Sequence, residues 1–262
     1  TGCVSPDAAR SATPNAAPCT RRAPAIRRGP TQQWRSPAST PRPPAYNARV
    51  LPYALVTIVA SAALLAAEQR DWRLGVWIAK PIAAAGFVGA ALANGALDSA
   101  YGQWILAGLV LSFVGDVLLI PREAKSTFFA GLVSFLLGHV AYTGAFAVRG
   151  LDPVTTAVAA LPVSLASLAA LRHLWPHIQA RSPKFQRPVL AYLIVISTML
   201  VCAAGSFGRA ADPRILAGAI AFYVSDLAVA RQRFVAKSFR NKLWGLPLYF
   251  GAQLLLAASV AR

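Results

Sequence analysis

From residue 51 onward the chain alternates long apolar stretches with short polar breaks. Eight stretches can be counted, at roughly 51–67, 74–93, 103–120, 127–148, 153–172, 188–207, 212–231 and 244–260. A run of about 18 or more apolar residues reads as a membrane-spanning helix, long enough to cross roughly 30 Å of hydrocarbon. The pattern predicts an all-α polytopic membrane protein, a bundle of eight transmembrane helices. Glycine and alanine recur inside the stretches, as in Ala83-Ala84-Ala85-Gly86. Small residues let membrane helices approach closely, so the bundle is expected to be compact.

Residues 1–48 break this pattern. They are rich in Pro, Ala, Ser and Arg, with Asp7 as the sole acid, and are expected to be a disordered tail. They lack the apolar core of a signal peptide. Their Arg-rich, acid-poor character is compatible with an organellar transit peptide, and a misassigned or truncated start is an equal option. The expected organisation is this tail over 1–48 followed by one eight-span membrane domain over 49–262.

Composition reinforces the membrane reading. Of 262 residues, 56% are hydrophobic and 13% charged, where a soluble domain carries about 25% charged residues. The net charge of +17 is spread over the tail and the loops. That distribution suits contact with anionic lipid headgroups. It does not suit a nucleic-acid binder, which gathers basic residues on one folded face. The three cysteines, Cys3, Cys19 and Cys202, form no disulfide framework and no metal-ligand spacing. The loops after the first, third, fifth and seventh stretches hold Arg70, Arg73, Arg122, Lys125, Arg181, Lys184, Arg187, Arg233, Lys237, Arg240 and Lys242. The other loops hold Arg149, Arg209 and Arg214. The positive-inside rule places the first set in the cytoplasm and both termini outside, against the pull of the basic tail.

Among nine acidic residues, seven fall in the tail, in loops or at stretch ends. Asp116 and Asp226 sit well inside apolar runs, in Val114-Gly115-Asp116-Val117 and Val224-Ser225-Asp226-Leu227. A carboxylate at membrane depth costs about 2.5–3.5 kcal/mol on insertion scales, and such residues face the bundle interior or a wet cavity. Lys80 and His139 are the lysine and histidine that lie inside stretches. Each has a plainer reading: an ion-paired structural acid, a hydrogen-bonded packing histidine, a lysine that snorkels to the interface.

Depth relates these residues. Asp116 and Asp226 lie near the C-terminal ends of the third and seventh stretches, and Lys80, Tyr192 and Tyr249 near the N-terminal ends of the second, sixth and eighth. In an alternating bundle those ends meet at one face, so the five side chains share a layer, with His139 and Gln253 somewhat deeper. A faint repeat accompanies the layer. Val-Gly-Asp echoes Val-Ser-Asp, Lys80-Pro81 echoes Arg187-Pro188, and Gly131, Phe135 and His139 echo Gly245, Tyr249 and Gln253 at the same offsets. Two parallel four-helix halves with sites at their interface would account for it.

The run Gly115-Asp116-Val117-Leu118-Leu119, then Phe129-Ala130-Gly131-Leu132 to Gly138-His139-Val140-Ala141-Tyr142, then Tyr223-Val224-Ser225-Asp226-Leu227-Ala228, then Tyr249 and Gln253, resembles the YhhN family of lysoplasmalogenases. The transmembrane protein 86 enzymes of animals belong to that family. Lys80-Pro81 and Tyr192 through Met199 fit the pattern too. The resemblance covers about 51–260.

The resemblance implies an ether-bond hydrolase that cleaves the vinyl ether of lysoplasmalogens to a fatty aldehyde and a glycerophospho-choline or -ethanolamine. The expected partners are a lysophospholipid substrate and membrane lipids, with no nucleic acid. No cofactor and no metal are expected. The expected location is a bacterial plasma membrane, or an organellar or endoplasmic reticulum membrane in a eukaryote. Asp116 and Asp226 are the expected catalytic pair, because vinyl ether hydrolysis asks for one acid and one base around a cation. Lys80, His139, Tyr192, Tyr249 and Gln253 are expected to bind substrate or support the pair. A proton-coupled transporter or lipid-handling protein is the alternative reading of the same buried groups. A hydrolytic metal held by Asp116, Asp226 and His139 is a third, disfavoured because one histidine is available.

Overall fold

The computed structural model describes residues 49–121 and 125–261. The tail over 1–48, expected to be disordered, lies outside the described residues, as do Arg122 and Glu123 of the basic loop after the third stretch. Eight α-helices follow in order: α1 (Leu51–Gln69), α2 (Arg73–Ala93), α3 (Ala100–Leu118), α4 (Lys125–Arg149), α5 (Pro153–Arg181), α6 (Gln186–Ala210), α7 (Pro213–Ala230) and α8 (Phe239–Ala258). The chain is an all-α polytopic membrane protein.

Local chemistry sets where the helices start. Ser99 caps α3 by accepting from the Gly102 amide, and Ser238 caps α8 by accepting from that of Arg240. Asp152 and Asp212, two of the acids found at stretch ends, are the N-caps of α5 and α7, each followed by a proline at the first helical position. A side-chain oxygen there satisfies an amide that the helix leaves unpaired, and proline has no amide to lose. Donation from Thr155, its backbone first and then its hydroxyl, holds the Asp152 carboxyl below the usual carboxylate range.

Seven of the eight described helices are long and apolar enough to cross a membrane, and α8 is the one that is not. Its Arg240, Asn241, Lys242 and Gln253 lower its hydropathy. The reason is its position. α8 packs against α1, α2, α3 and α7, and Tyr249, Phe250, Gln253, Leu256 and Ala257 are buried. It runs antiparallel to α7, with Gly245 against Ala228 near one end and Gly218 against Leu256 near the other. A helix screened from lipid by its neighbours need not be apolar all round. α5 is the converse case. Its Val154, Val158, Leu161, Leu165 and Leu168 form an exposed stripe. Spaced by three and four residues, they occupy one helical face, which suits lipid.

Helix bounds also differ from the apolar stretches. α5 continues to Arg181 and α6 begins at Gln186, so both extend past the stretches 153–172 and 188–207. Hydropathy marks the hydrocarbon depth, whereas a helix can continue beyond it into the headgroup region.

Glycines set how closely α3 and α4 approach. A Cβ on Gly108 would come within 2.4 Å of the Tyr142 ring, and one on Gly115 within 2.7 Å of the Phe135 ring. The aromatic rings of α4 thus lie directly on the α3 backbone, beside Asp116. At the opposite end of the bundle a polar knot joins four helices. Arg149 donates to the Ser259 carbonyl at 2.9 Å and faces Asp212 at 3.4 Å. Arg214 pairs with Asp212 at 2.8 Å and donates to the Ala258 carbonyl at 2.6 Å. Tyr101 and Ser259 share a hydrogen bond of 2.6 Å. These charged side chains satisfy the C-terminal carbonyls of α8 and tie off that end.

Candidate active site

The expected layer of polar residues forms at the other end, near the basic loops. Lys80 of α2 places Nζ 3.2 Å from Oδ1 of Asp116 and donates to the Asp116 backbone carbonyl at 3.0 Å. Tyr249 of α8 donates to Asp116 Oδ2 at 2.6 Å. Asp116 is 2% exposed. Three helices therefore meet at one carboxylate that has both a cation and a phenol beside it.

Asp226 is held differently. Tyr192 of α6 donates to its Oδ2 at 2.6 Å, and His139 Nε2 of α4 stands 3.6 Å from the same oxygen, just beyond hydrogen-bond length. No lysine or arginine pairs with Asp226 among the described residues. On the other side of the His139 ring, Nδ1 is 2.7 Å from the Phe135 carbonyl. A carbonyl only accepts, so Nδ1 carries a proton. Nε2 is buried and has no other partner, and it points at Asp226. The Phe222 ring packs against the imidazole with centroids 4.5 Å apart and fixes its tilt.

The two aspartates draw their partners from the helices in a similar way, although the partner residues themselves do not correspond in the sequence repeat. Each takes one partner from the helix before it, Lys80 or Tyr192, and one from a helix of the other half of the chain, Tyr249 or His139. Contacts of α2 with α8 and of α6 with α4 hold the two halves together.

A cavity of about 330 Å³ joins both carboxylates. Lys80, Asp116, Tyr192, Asp226 and Tyr249 contribute to its polar floor. Leu119, Leu132, Phe135, Leu193 and Ile196 are among its apolar walls. Glu68, Arg233, Lys237 and Lys242 lie at the helix ends where it opens. His139 and Gln253 are outside its lining. His139 stands behind Asp226, with Nε2 3.6 Å from its Oδ2. Gln253 is fully buried and its Oε1 accepts from Tyr142 at 2.7 Å. Among the described residues, no group of three or more His, Cys, Asp or Glu is placed to hold a metal.

Two details at the site come from the structure alone, the Tyr142–Gln253 contact and a π-helical turn at the basic end. Tyr142 lies one turn after His139 on the same face of α4, so its spacing was a usable signal for the contact with Gln253. The basic loops are expected on the face of the polar layer, but nothing in Arg231-Gln232-Arg233-Phe234 announces the π-helical turn that the chain adopts over Arg231–Val235.

The YhhN family model matches residues 75–260, which include all of these side chains except Glu68. The chain belongs to the YhhN family. It is 36% identical over 160 residues to lysoplasmalogenase TMEM86B of Rattus norvegicus, a match covering 61% of this chain and 62% of that protein. It is 31% identical over 162 residues to a lysoplasmalogenase of Mycobacterium bovis, covering 60% and 59%. A third relative, lysoplasmalogenase TMEM86B of Homo sapiens, is 30% identical over 162 residues, covering 62% and 65%. The chain thus spans about three fifths of the length of the curated relatives it matches. No solved structure matches it.

Proposed function

We propose that this YhhN-family protein is a membrane hydrolase that cleaves the vinyl ether bond of lysoplasmalogens, releasing a fatty aldehyde and glycerophosphocholine or glycerophosphoethanolamine. The observation that carries the reading is the cavity holding two carboxylates in unlike surroundings, one beside an ammonium group and one without a cation. The names of the relatives supply the substrate class.

The surroundings divide the labour. Asp116, paired with Lys80, is the ionised member. An isolated anion at the depth of Asp226 is costly, so Asp226 holds the proton, with His139 Nε2 as the acceptor behind it. Asp226 transfers that proton to the β-carbon of the vinyl ether. The α-carbon and its oxygen then share the positive charge of an oxocarbenium ion, which the Asp116 carboxylate stabilises. Water adds to the α-carbon as its proton passes to a carboxylate. The hemiacetal collapses when its hydroxyl gives its proton to a carboxylate, the bond from that carbon to the glycerol oxygen breaks and the glycerol oxygen takes a proton. The balance is one water consumed, with no change of oxidation state overall. Apolar walls receive the alkenyl chain.

The basic loops face the cytoplasm in this reading, and a plasma membrane is the proposed location. The test is aldehyde release from defined lysoplasmalogen by the purified protein in detergent, for wild type, Asp116→Asn and Asp226→Asn. Wild type should release aldehyde, and each variant should lose at least about a hundredfold in rate, as expected for a general acid or base. Folded variants with wild-type rates would refute the assignment of the pair. A transporter would release no aldehyde at all.

A further inference from the structure

Lys80 is the cation nearest the reacting centre, and it is committed to Asp116 through both the carboxylate and the backbone carbonyl. It is not available to a phosphate. Lys242, at the opening of the cavity, is paired with Glu68. Of the two lining cations left over among the described residues, Lys237 and Arg233, the second is held in a defined place. It lines the same cavity, and its guanidinium lies 4.3 Å over the Phe128 ring and 5.9 Å from that of Phe185. Among the described residues no carboxylate pairs with it.

The structure around Arg233 is built rather than incidental. Phe128, Phe185 and Phe234 pack edge to face or tilted, with centroids 5.5–6.5 Å apart, into a pad whose Phe128 and Phe185 rings lie beneath the guanidinium. The backbone there is a π-helical turn over Arg231–Val235, whose last carbonyls, of Phe234 and Val235, accept from Arg181. Such turns are rare and concentrate at functional sites. A guanidinium held over an aromatic ring still has N–H donors to offer, and its planar fork matches two phosphate oxygens at once. Arg233 also lies seven residues beyond Asp226 on a continuous helical path. That is roughly 10 Å along the axis, and both side chains line the same cavity. The glycerol backbone between a phosphate and an sn-1 vinyl ether has comparable reach.

We infer that Arg233, seated on the Phe128–Phe185–Phe234 pad, is the phosphate-binding residue of the cavity and grips the phosphodiester of a lysophospholipid headgroup while the chain lies along the apolar wall. Lys237, also at the opening, adds charge without a fixed geometry. The inference rests on the proposed lysolipid substrate, but its test does not depend on turnover.

The probe is a radiolabelled 1-O-alkyl-glycero-3-phosphocholine, a saturated ether that this chemistry does not cleave, bound to the purified full chain in detergent. Arg233→Gln should weaken binding at least tenfold, and Arg233→Lys should weaken it less. Phosphate-free 1-O-alkylglycerol should bind wild type and Arg233→Gln alike. Unchanged binding of the phosphocholine lipid to a folded Arg233→Gln protein overturns the inference, and so does the absence of binding to wild type. Inorganic phosphate and glycerophosphocholine, added as competitors, separate the two sources of phosphate. A lipid site resists both at concentrations that saturate it with lipid. Displacement by inorganic phosphate alone would make it a free-phosphate site and overturn the lipid assignment. With lysoplasmalogen as substrate, Arg233→Gln should raise KM tenfold or more with kcat unchanged, the mark of a contact made equally in ground and transition states. Tight lipid binding without aldehyde release would instead sink the hydrolase reading and leave the phosphate site standing.

Discussion

Lys80 reaches Asp116 at two oxygens, its carboxylate Oδ1 at 3.2 Å and its own backbone carbonyl at 3.0 Å. The second bond keeps the ammonium beside α3 even when the carboxylate moves. Removing one partner of such a buried pair leaves an uncompensated charge and costs about 3–5 kcal/mol. Lys80→Met should therefore lower the unfolding temperature in detergent and abolish aldehyde release. Lys80→Met combined with Asp116→Asn should regain stability, because no charge is left stranded, but should stay inactive. A double variant no more stable than Lys80→Met would show that the pair is not the source of the loss.

Much of this centre was legible because it rests on rules of depth. The alternation of spans puts the C-terminal ends of α3 and α7 at the same face as the N-terminal ends of α2, α6 and α8. Lys80, Asp116, Tyr192, Asp226 and Tyr249 meet there for that reason. Which donor goes to which carboxylate was not legible. It depends on the rotation of each helix about its axis, and in α3 and α4 that is set by rings seated on Gly108 and Gly115. α8 also escaped the simple hydropathy measure, since its polar residues are screened by other helices. The cation pad at Arg233 was illegible because it depends on a local change of helix pitch.

Tyr192 and Tyr249 donate to different aspartates at the same distance, 2.6 Å. A hydrogen bond to a charged acceptor contributes about 1.5–3 kcal/mol, and one to a neutral acceptor about half to one and a half. In the proposed division of roles, Tyr249→Phe should slow turnover by roughly ten- to a hundredfold, and Tyr192→Phe by less than about tenfold. Initial rates of aldehyde release from the two purified variants measure this directly. The reverse order would exchange the roles of Asp116 and Asp226.

Gln253 lies behind the cavity, and its Oε1 accepts from Tyr142. Gln253→Leu leaves the Tyr142 hydroxyl without its partner in an apolar setting, a cost of about 1–3 kcal/mol. Thermal stability should fall by that much while kcat of the folded protein changes by less than about threefold. A large loss of kcat at unchanged stability would return Gln253 to the reacting centre.

Gly115 precedes Asp116 and touches the Phe135 ring, whose backbone carbonyl holds His139. Overfilling a packed contact costs about 1–3 kcal/mol. Gly115→Ala would push α4 away from α3 and with it the imidazole from Asp226. Both stability and turnover should drop, and Phe135→Leu in the same chain should restore part of each by yielding space. If Phe135→Leu restores nothing, the ring is not what limits the approach of the two helices.

His139 offers the sharpest separation between packing and chemistry. Its ring is buried, stacked near Phe222 and fixed through Nδ1, and only Nε2 faces Asp226. His139→Phe keeps an aromatic ring of similar size in that slot, so packing is largely retained. It removes the group that can take or return a proton behind Asp226. A residue that acts in proton transfer contributes about a hundred- to ten-thousandfold in rate. His139→Phe should therefore lose at least about a hundredfold in kcat. KM and binding of the uncleavable alkyl lysolipid should stay unchanged, since the ring is outside the cavity wall. A packing role alone predicts a different result: lower stability, with the folded fraction turning over at the wild-type rate. Measuring kcat per folded protein, with the folded fraction taken from lipid binding, distinguishes the two outcomes.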